Sequence, residues 1–288
     1  MTAQTAAAPG YRPHGTFRVW TELRRQASRR RTQLALGFMV VLPLIVLAAF
    51  EFGGSGQNDN GRNGDFSAFV RVARSGGLNF ALFTLLVSTS FLLVVVVALF
   101  FGDTVASDAS WGSLRYLLAV PVPRARLLGI KLVVSLIYSA IALLLLTGVA
   151  LAAGTARYGW HPLHSTIAGD LAPGAGLLRL AWIVGFVAVS LLVVASLSFL
   201  LSVSTDAPLG AVGGAVLLWI LSSILDQITA LGSLRRFLPT HYAQAWLGLL
   251  SNPVQTGDVV KGCISALVYA TIFFALAFRH FHRKDIVS

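Results

Sequence analysis

The sequence predicts an all-α polytopic membrane protein with six transmembrane helices, an N-terminal interfacial helix and a short cytoplasmic helix. Two observations carry most of that prediction. Of the 288 residues, 56% are hydrophobic and only 11% are charged, against about 25% charged in soluble domains. Six apolar stretches, at about 34–52, 80–101, 127–153, 177–203, 208–225 and 259–278, each approach the roughly 20 residues needed to cross a bilayer core. A third observation is the net charge of +11, whose basic residues lie between the apolar runs. That placement points to a membrane surface and away from nucleic acid.

The first apolar run follows basic residues, as a signal peptide would. Its length and the absence of a clear small-x-small cleavage site favour a retained span. Six spans place both termini on one side. That side would hold fourteen of the 22 Lys and Arg, seven of them before the first span. Both termini are therefore expected in the cytoplasm. The whole chain reads as one membrane domain, with residues 1–33 and 279–288 as cytoplasmic tails around spans at 34–278. The connecting segments 53–79, 154–176 and 226–258 are too short for an independent core. The single cysteine, Cys263, excludes a disulfide framework.

Residues 16–31, TFRVWTELRRQASRRR, form an amphipathic pattern. Phe17, Val19, Trp20, Leu23 and Ala27 share one face, while Arg18, Glu22, Arg25 and Arg29 lie opposite, with Glu22 in reach of Arg18 and Arg25. An aromatic apolar face against a basic one is the pattern of a helix lying on the membrane, in contact with lipid. The alternative is a positively charged flank without fixed structure. Phe17, Trp20, Leu23, Arg25 and Arg29 are the candidate interface residues.

The segment 101–131, FGDTVASDASWGSLRYLLAVPVPRARLLGIK, carries the strongest signal. Asp103, Thr104, Ser107 and Asp108 suit a helix start. Trp111, Leu114, Leu117 and Leu118 then form one apolar stripe, and Pro121 and Pro123 end it. A short helix over about 104–120 is expected, offering apolar anchors to a groove on a partner protein or, alternatively, to lipid.

This segment resembles the cytoplasmic loop of ABC type 2 transporter permeases. There an acid precedes Gly-(Thr/Ser)-Leu, and a Pro-Val-x-Arg turn and a Lys lead into the third span. The matching residues are Asp108, Gly112, Ser113, Leu114, Pro121, Val122, Arg124 and Lys131; Asp108 stands where Glu is usual, and Trp111 directly precedes the glycine. The resemblance implies a permease subunit of a bacterial ABC exporter in the cytoplasmic membrane. Its implied partners are two ATPase subunits and a second permease copy or related permease. The implied ATPase-coupling residues are Asp108, Trp111, Gly112, Leu114, Arg115, Leu118, Pro121 and Arg124. The chain has no G-x-x-x-x-G-K-[ST] phosphate loop, so ATP and Mg would sit on the partner and no cofactor on this chain. The low polarity of the spans favours a hydrophobic or amphiphilic cargo, such as a drug, lipid or natural product. The rival readings are a non-transporting anchor or sensor subunit and an ion-coupled secondary carrier.

The remaining candidates are weaker. Pro239 could begin a short re-entrant or interfacial helix within 234–250 carrying Tyr242, Trp246 and Leu249. Thr84, Ser88 and Phe91 form a mildly polar line that could face a substrate path, although such hydroxyls commonly bond their own helix. Gly210 and Gly214 form a small-x-x-x-small pair for helix packing. His161, His164 and Asp170 lack a full metal set, and no catalytic residues are expected. Glu51, Asp103 and Asp226 are expected at span ends within reach of water, which disfavours a mid-membrane proton relay.

Overall fold

The computed structural model describes residues 19–52, 64–110, 123–165 and 169–283, with backbone alone at 64–68 and 165. Its elements run in the order α1 (Val19–Ala27), α2 (Arg30–Phe52), α3 (Gly64–Ala73), α4 (Gly77–Thr89), α5 (Leu92–Ser110) and α6 (Arg124–Tyr158). A small hairpin follows, β1 (Leu163–Ser165) antiparallel to β2 (Gly169–Leu171). Then come α7 (Pro173–Ser204), α8 (Pro208–Gln227), two 3₁₀ segments at Thr229–Phe237 and Ala245–Leu250, and α9 (Gly257–Arg283).

Six of these helices, α2, α5, α6, α7, α8 and α9, are long and apolar enough to cross a membrane. The protein is membrane-embedded and overwhelmingly helical. Among the described residues, the small hairpin is the one element outside the all-helical expectation. Contacts fix which ends of the bundle coincide. Arg25 of α1 meets Asp108 at the end of α5, and Arg124 at the start of α6 meets the His282 carbonyl near the end of α9. At the opposite end, Arg157 of α6 meets Glu51 of α2. Both described chain ends therefore lie at one end of the bundle.

Helix α7 is the central element, packing on α5 and α9. A triad of rings, Phe101, Phe199 and Phe274, joins those three helices with centroids 5.8–6.3 Å apart. Beyond their area, such pairs each contribute about 0.5–1.5 kcal/mol. By contrast, α2, α8 and α9 leave large aliphatic side chains uncovered, Leu44, Leu217 and Leu267 among them. That outward apolar surface is what a hydrocarbon solvent permits.

The second apolar stretch departs from expectation. It is not one helix over 80–101 but two, α4 and α5, broken at Ser90–Phe91 and together covering Gly77 to Ser110. The cause lies in three consecutive hydroxyls. Ser88, Thr89 and Ser90 each donate to the carbonyl four residues back, at 2.6, 2.7 and 3.4 Å, competing with the ladder and bending the chain. Two contacts fix α4 in place. A Cβ at Gly77 would stand 2.3 Å from Thr155 Cγ2 and 2.6 Å from the Thr155 nitrogen, so only glycine admits this approach of α4 to α6. Asn79, 3% exposed, donates to the His164 carbonyl at 2.9 Å and accepts from the His164 nitrogen at 3.1 Å. One amide thereby extends the hairpin edge onto the bundle.

Pro239 does not begin a helix. It sits in a series of turns between the two 3₁₀ segments, whereas Trp246 and Leu249 are buried in the second of them.

Candidate functional site

At the α1 end of the bundle, seven charged side chains from four elements converge. Helix α1 and the turn after it present Glu22, Arg25 and Arg29, which recur at helical spacing on one face. Arg31 opens α2. The last two turns of α5 present Asp103, Ser107 and Asp108, and Lys131 lies two turns into α6.

Lys131 is 1% exposed and Asp108 2%. Lys131 Nζ donates to Asp108 Oδ2, to the Thr104 carbonyl at 2.6 Å and to Glu22 Oε1 at 3.5 Å. All three ammonium protons are thus used. Asp108 Oδ1 accepts from Arg25 Nη2 at 2.9 Å and from Arg29 Nη2 at 3.2 Å. Arg29 also reaches Asp103 Oδ2 at 3.2 Å and Ser107 Oγ at 3.0 Å, and Arg31 reaches Asp103 Oδ1 at 2.6 Å. Tyr138 Oη donates to the Leu23 carbonyl at 2.8 Å, fastening α1 from the α6 side.

The energetics favour specificity over raw stability. Desolvating a carboxylate and an ammonium costs several kcal/mol per ion, which attraction and added hydrogen bonds roughly offset. Each buried acid here, Glu22, Asp103 and Asp108, has cationic partners at contact distance. Removing Lys131 leaves Asp108 Oδ2 without its cation, and removing Asp108 leaves Lys131 only the more distant carboxylate of Glu22. The cluster thus holds α1, α5 and α6 in one register, and with every acid paired its chemistry is that of a clamp.

Three sequence expectations change here. Asp103, Thr104, Ser107 and Asp108 do not start a helix; they continue α5 to Ser110. Acids at a helix C-terminus oppose the macrodipole, and the Arg and Lys side chains compensate for that. Asp103 is 4% exposed and so lies out of reach of bulk water. Helix α1 does not turn its charged face to solvent. Glu22 and Gln26 are its buried residues, Arg25 and Arg29 point into the cluster, and Trp20 is 72% exposed. Val19 and Leu23 only partly pack on the core. The acids on α5 and Glu22's contact with Lys131 draw the polar face inward.

The other candidate residues are placed as follows. Trp111, Gly112, Leu114, Arg115, Leu118 and Pro121 lie outside the described residues, as does Phe17. Arg124 is at the first position of α6. Thr84 and Ser88 are buried and donate to the carbonyls of Phe80 and Thr84, whereas Phe91 is exposed at the α4–α5 break; the three line no common path. Gly214 lies against Leu201 of α7, while a Cβ at Gly210 would meet only Ala207 of its own turn, at 3.6 Å. Helices α5 and α8 approach closely at Gly102, where a Cβ would stand 2.7 Å from Val212 Cγ2. His164 pairs with Asp170 across the hairpin, and His241 with Asp226 at 2.6 Å.

Sequence reasoning singled out Asp108 and Lys131 separately but missed that they pair. The available signal was the scarcity of acids: an acid beside an apolar run must find a base, and the nearest basic sets flank it at 24–31 and 124–131. Asn79 was missed too, and a lone amide in an apolar stretch was its signal.

A family model described as a protein of unknown function, DUF2705, matches residues 44–287. The chain belongs to that family. No curated protein matches it.

Proposed function

We propose that the chain is the membrane subunit of an ABC-type exporter, coupled through residues 108–121 to a separate ATP-hydrolysing subunit. The observation that carries this reading is the Lys131–Asp108 pair. The two ends of the permease-like loop motif, its acid and its lysine, are tied to each other and to α1. Both flanks of the motif are thereby fixed to α1, α5 and α6, so a push delivered between them would reach all three helices.

In this reading both termini and the charge cluster face the cytoplasm of a bacterial inner membrane. Trp111, Leu114 and Leu118 anchor in a groove of the ATPase, and Arg115 and Arg124 contact its rim. Two ATPases serve two permease chains, ATP and Mg reside on the ATPases, and the cargo is hydrophobic or amphiphilic. Among the described residues, the pairing of each buried acid with a base favours this over an ion-coupled carrier, which needs an acid free to load and unload.

The test is affinity purification of the tagged full chain from native membranes in mild detergent. A P-loop ATPase recovered near one-to-one, and lost on Leu114→Asp, supports the proposal. Its absence under conditions that preserve other membrane complexes overturns it.

A further inference from the structure

At the end of the bundle opposite the charge cluster, a cleft opens between the first 3₁₀ segment, the turns that follow it and α9. Its outer part, of about 660 Å³, is polar and bordered by Arg236, His241, Gln244, Asp258 and Lys261. A second part, of about 410 Å³, shares Arg236, Tyr242 and Lys261 with the first and continues along α9 past Ile264, Val268 and Ile272. The two are one channel, charged at the top and apolar below.

Several features build this channel. Gly262 lets α9 approach closely, since a Cβ there would stand 2.9 Å from Tyr242 Cβ and 3.1 Å from the Phe186 ring. Tyr269 Oη donates to the Phe237 carbonyl, holding the end of the 3₁₀ segment against α9. Arg235 turns inward to the carbonyls of Asp226 and Gly232, and its neighbour Arg236 lines the cleft. Lys261 meets Asp258 at 2.9 Å, but both are well exposed, and such a pair holds little. His241 is occupied by Asp226. The mouth therefore carries two cations against one acid.

The dimensions decide the occupant. From Lys261 to Ile272 the helix rises about 16 Å at about 1.5 Å per residue. That is half of the roughly 30 Å hydrocarbon core, the depth of one leaflet. Ile264, Val268 and Ile272 recur every four residues on one exposed stripe of α9.

We infer that this cleft binds an anionic phospholipid, with its headgroup phosphate on Arg236 and Lys261 and one acyl chain along Ile264, Val268 and Ile272. A second protein copy would offer no reason for cations at the rim and a furrow one leaflet deep. The site requires no ATPase, so it stands or falls apart from the proposed function.

The full chain in mild detergent, titrated with dioleoyl phosphatidylglycerol and followed by native mass spectrometry, tests this. Dioleoyl phosphatidylcholine and inorganic phosphate serve as comparison probes. Wild type is expected to hold one phosphatidylglycerol about thirtyfold more tightly than phosphatidylcholine, roughly the effect of two interfacial cations. The Arg236→Gln/Lys261→Gln variant should lose that preference. Val268→Trp, which fills the furrow and leaves the charges intact, should weaken both lipids about tenfold, whereas Arg279→Gln at the other end should change nothing. Equal binding by wild type and both cleft variants, or an equal loss on Arg279→Gln, overturns the inference. So does displacement of the lipid by equimolar inorganic phosphate, which would leave an anion site without a tail, or cross-linking of cysteines in the cleft to a second copy.

Discussion

Lys131 and Asp108, 23 residues apart, form an ion pair that is almost entirely withdrawn from solvent, and a second carboxylate, Glu22, reaches Lys131 from α1. The loop between them is therefore closed at its base by charge. Breaking one side of such a pair costs far more than replacing both. Lys131→Met is expected to destabilise the protein by about 3 kcal/mol, and the double variant Asp108→Leu/Lys131→Met to recover at least half of that. Unfolding in detergent, monitored by circular dichroism, checks both. A double variant as unstable as Lys131→Met would contradict the clamp.

Arg29 touches Asp103, Ser107 and Asp108 together, so its planar fork ties α1 to α5 in a way that lysine cannot reproduce. Arg29→Gln and Arg29→Lys should both loosen α1, raising amide hydrogen exchange across residues 19–31. Arg31, 60% exposed in its side chain, should show almost no such effect when replaced by Gln. Equal exchange in all three variants would remove Arg29 from the clamp.

The approach of α4 to α6 leaves no room at Gly77. Gly77→Ala should cost about 1–3 kcal/mol through overpacking. At Gly210 nothing opposes a methyl group beyond its own turn, and Gly210→Ala should be neutral or stabilising by up to about 1 kcal/mol. Thermal midpoints of the two variants, measured side by side, test the contrast.

Asn79 serves the hairpin as a strand would, with one donor and one acceptor. Replacing it by Ala strands both His164 backbone groups at a cost of about 2 kcal/mol. Asn79→Asp keeps the acceptor but loses the donor, and it should fall between Ala and wild type. Exchange protection of residues 163–171 reports the effect directly.

Much of this was legible in the sequence. Span positions follow from apolar length, which a bilayer enforces: the stretches at 34–52, 177–203 and 208–225 are found in α2, α7 and α8 with shifts of a few residues. The break at Ser90–Phe91 was not legible, because hydropathy does not register hydroxyls that bond their own carbonyls. The inward roll of α1 was missed for a related reason. Helical periodicity separates two faces, but which face turns inward depends on what stands opposite, and Asp103 and Asp108 lie more than 70 residues away. Pro239 was read as a helix start from local chemistry, whereas the chain runs through turns there and becomes 3₁₀ only at Ala245–Leu250, where Trp246 and Leu249 pack into the core.

The most direct test of the account is a photo-crosslinking residue introduced at position 114 and activated in native membranes. Coupling through residues 108–121 predicts one dominant adduct with a P-loop ATPase, lost when Trp111 and Leu118 are both changed to Asp. Adducts with lipid alone, or none above those from an outward position such as 221 on α8, would contradict it.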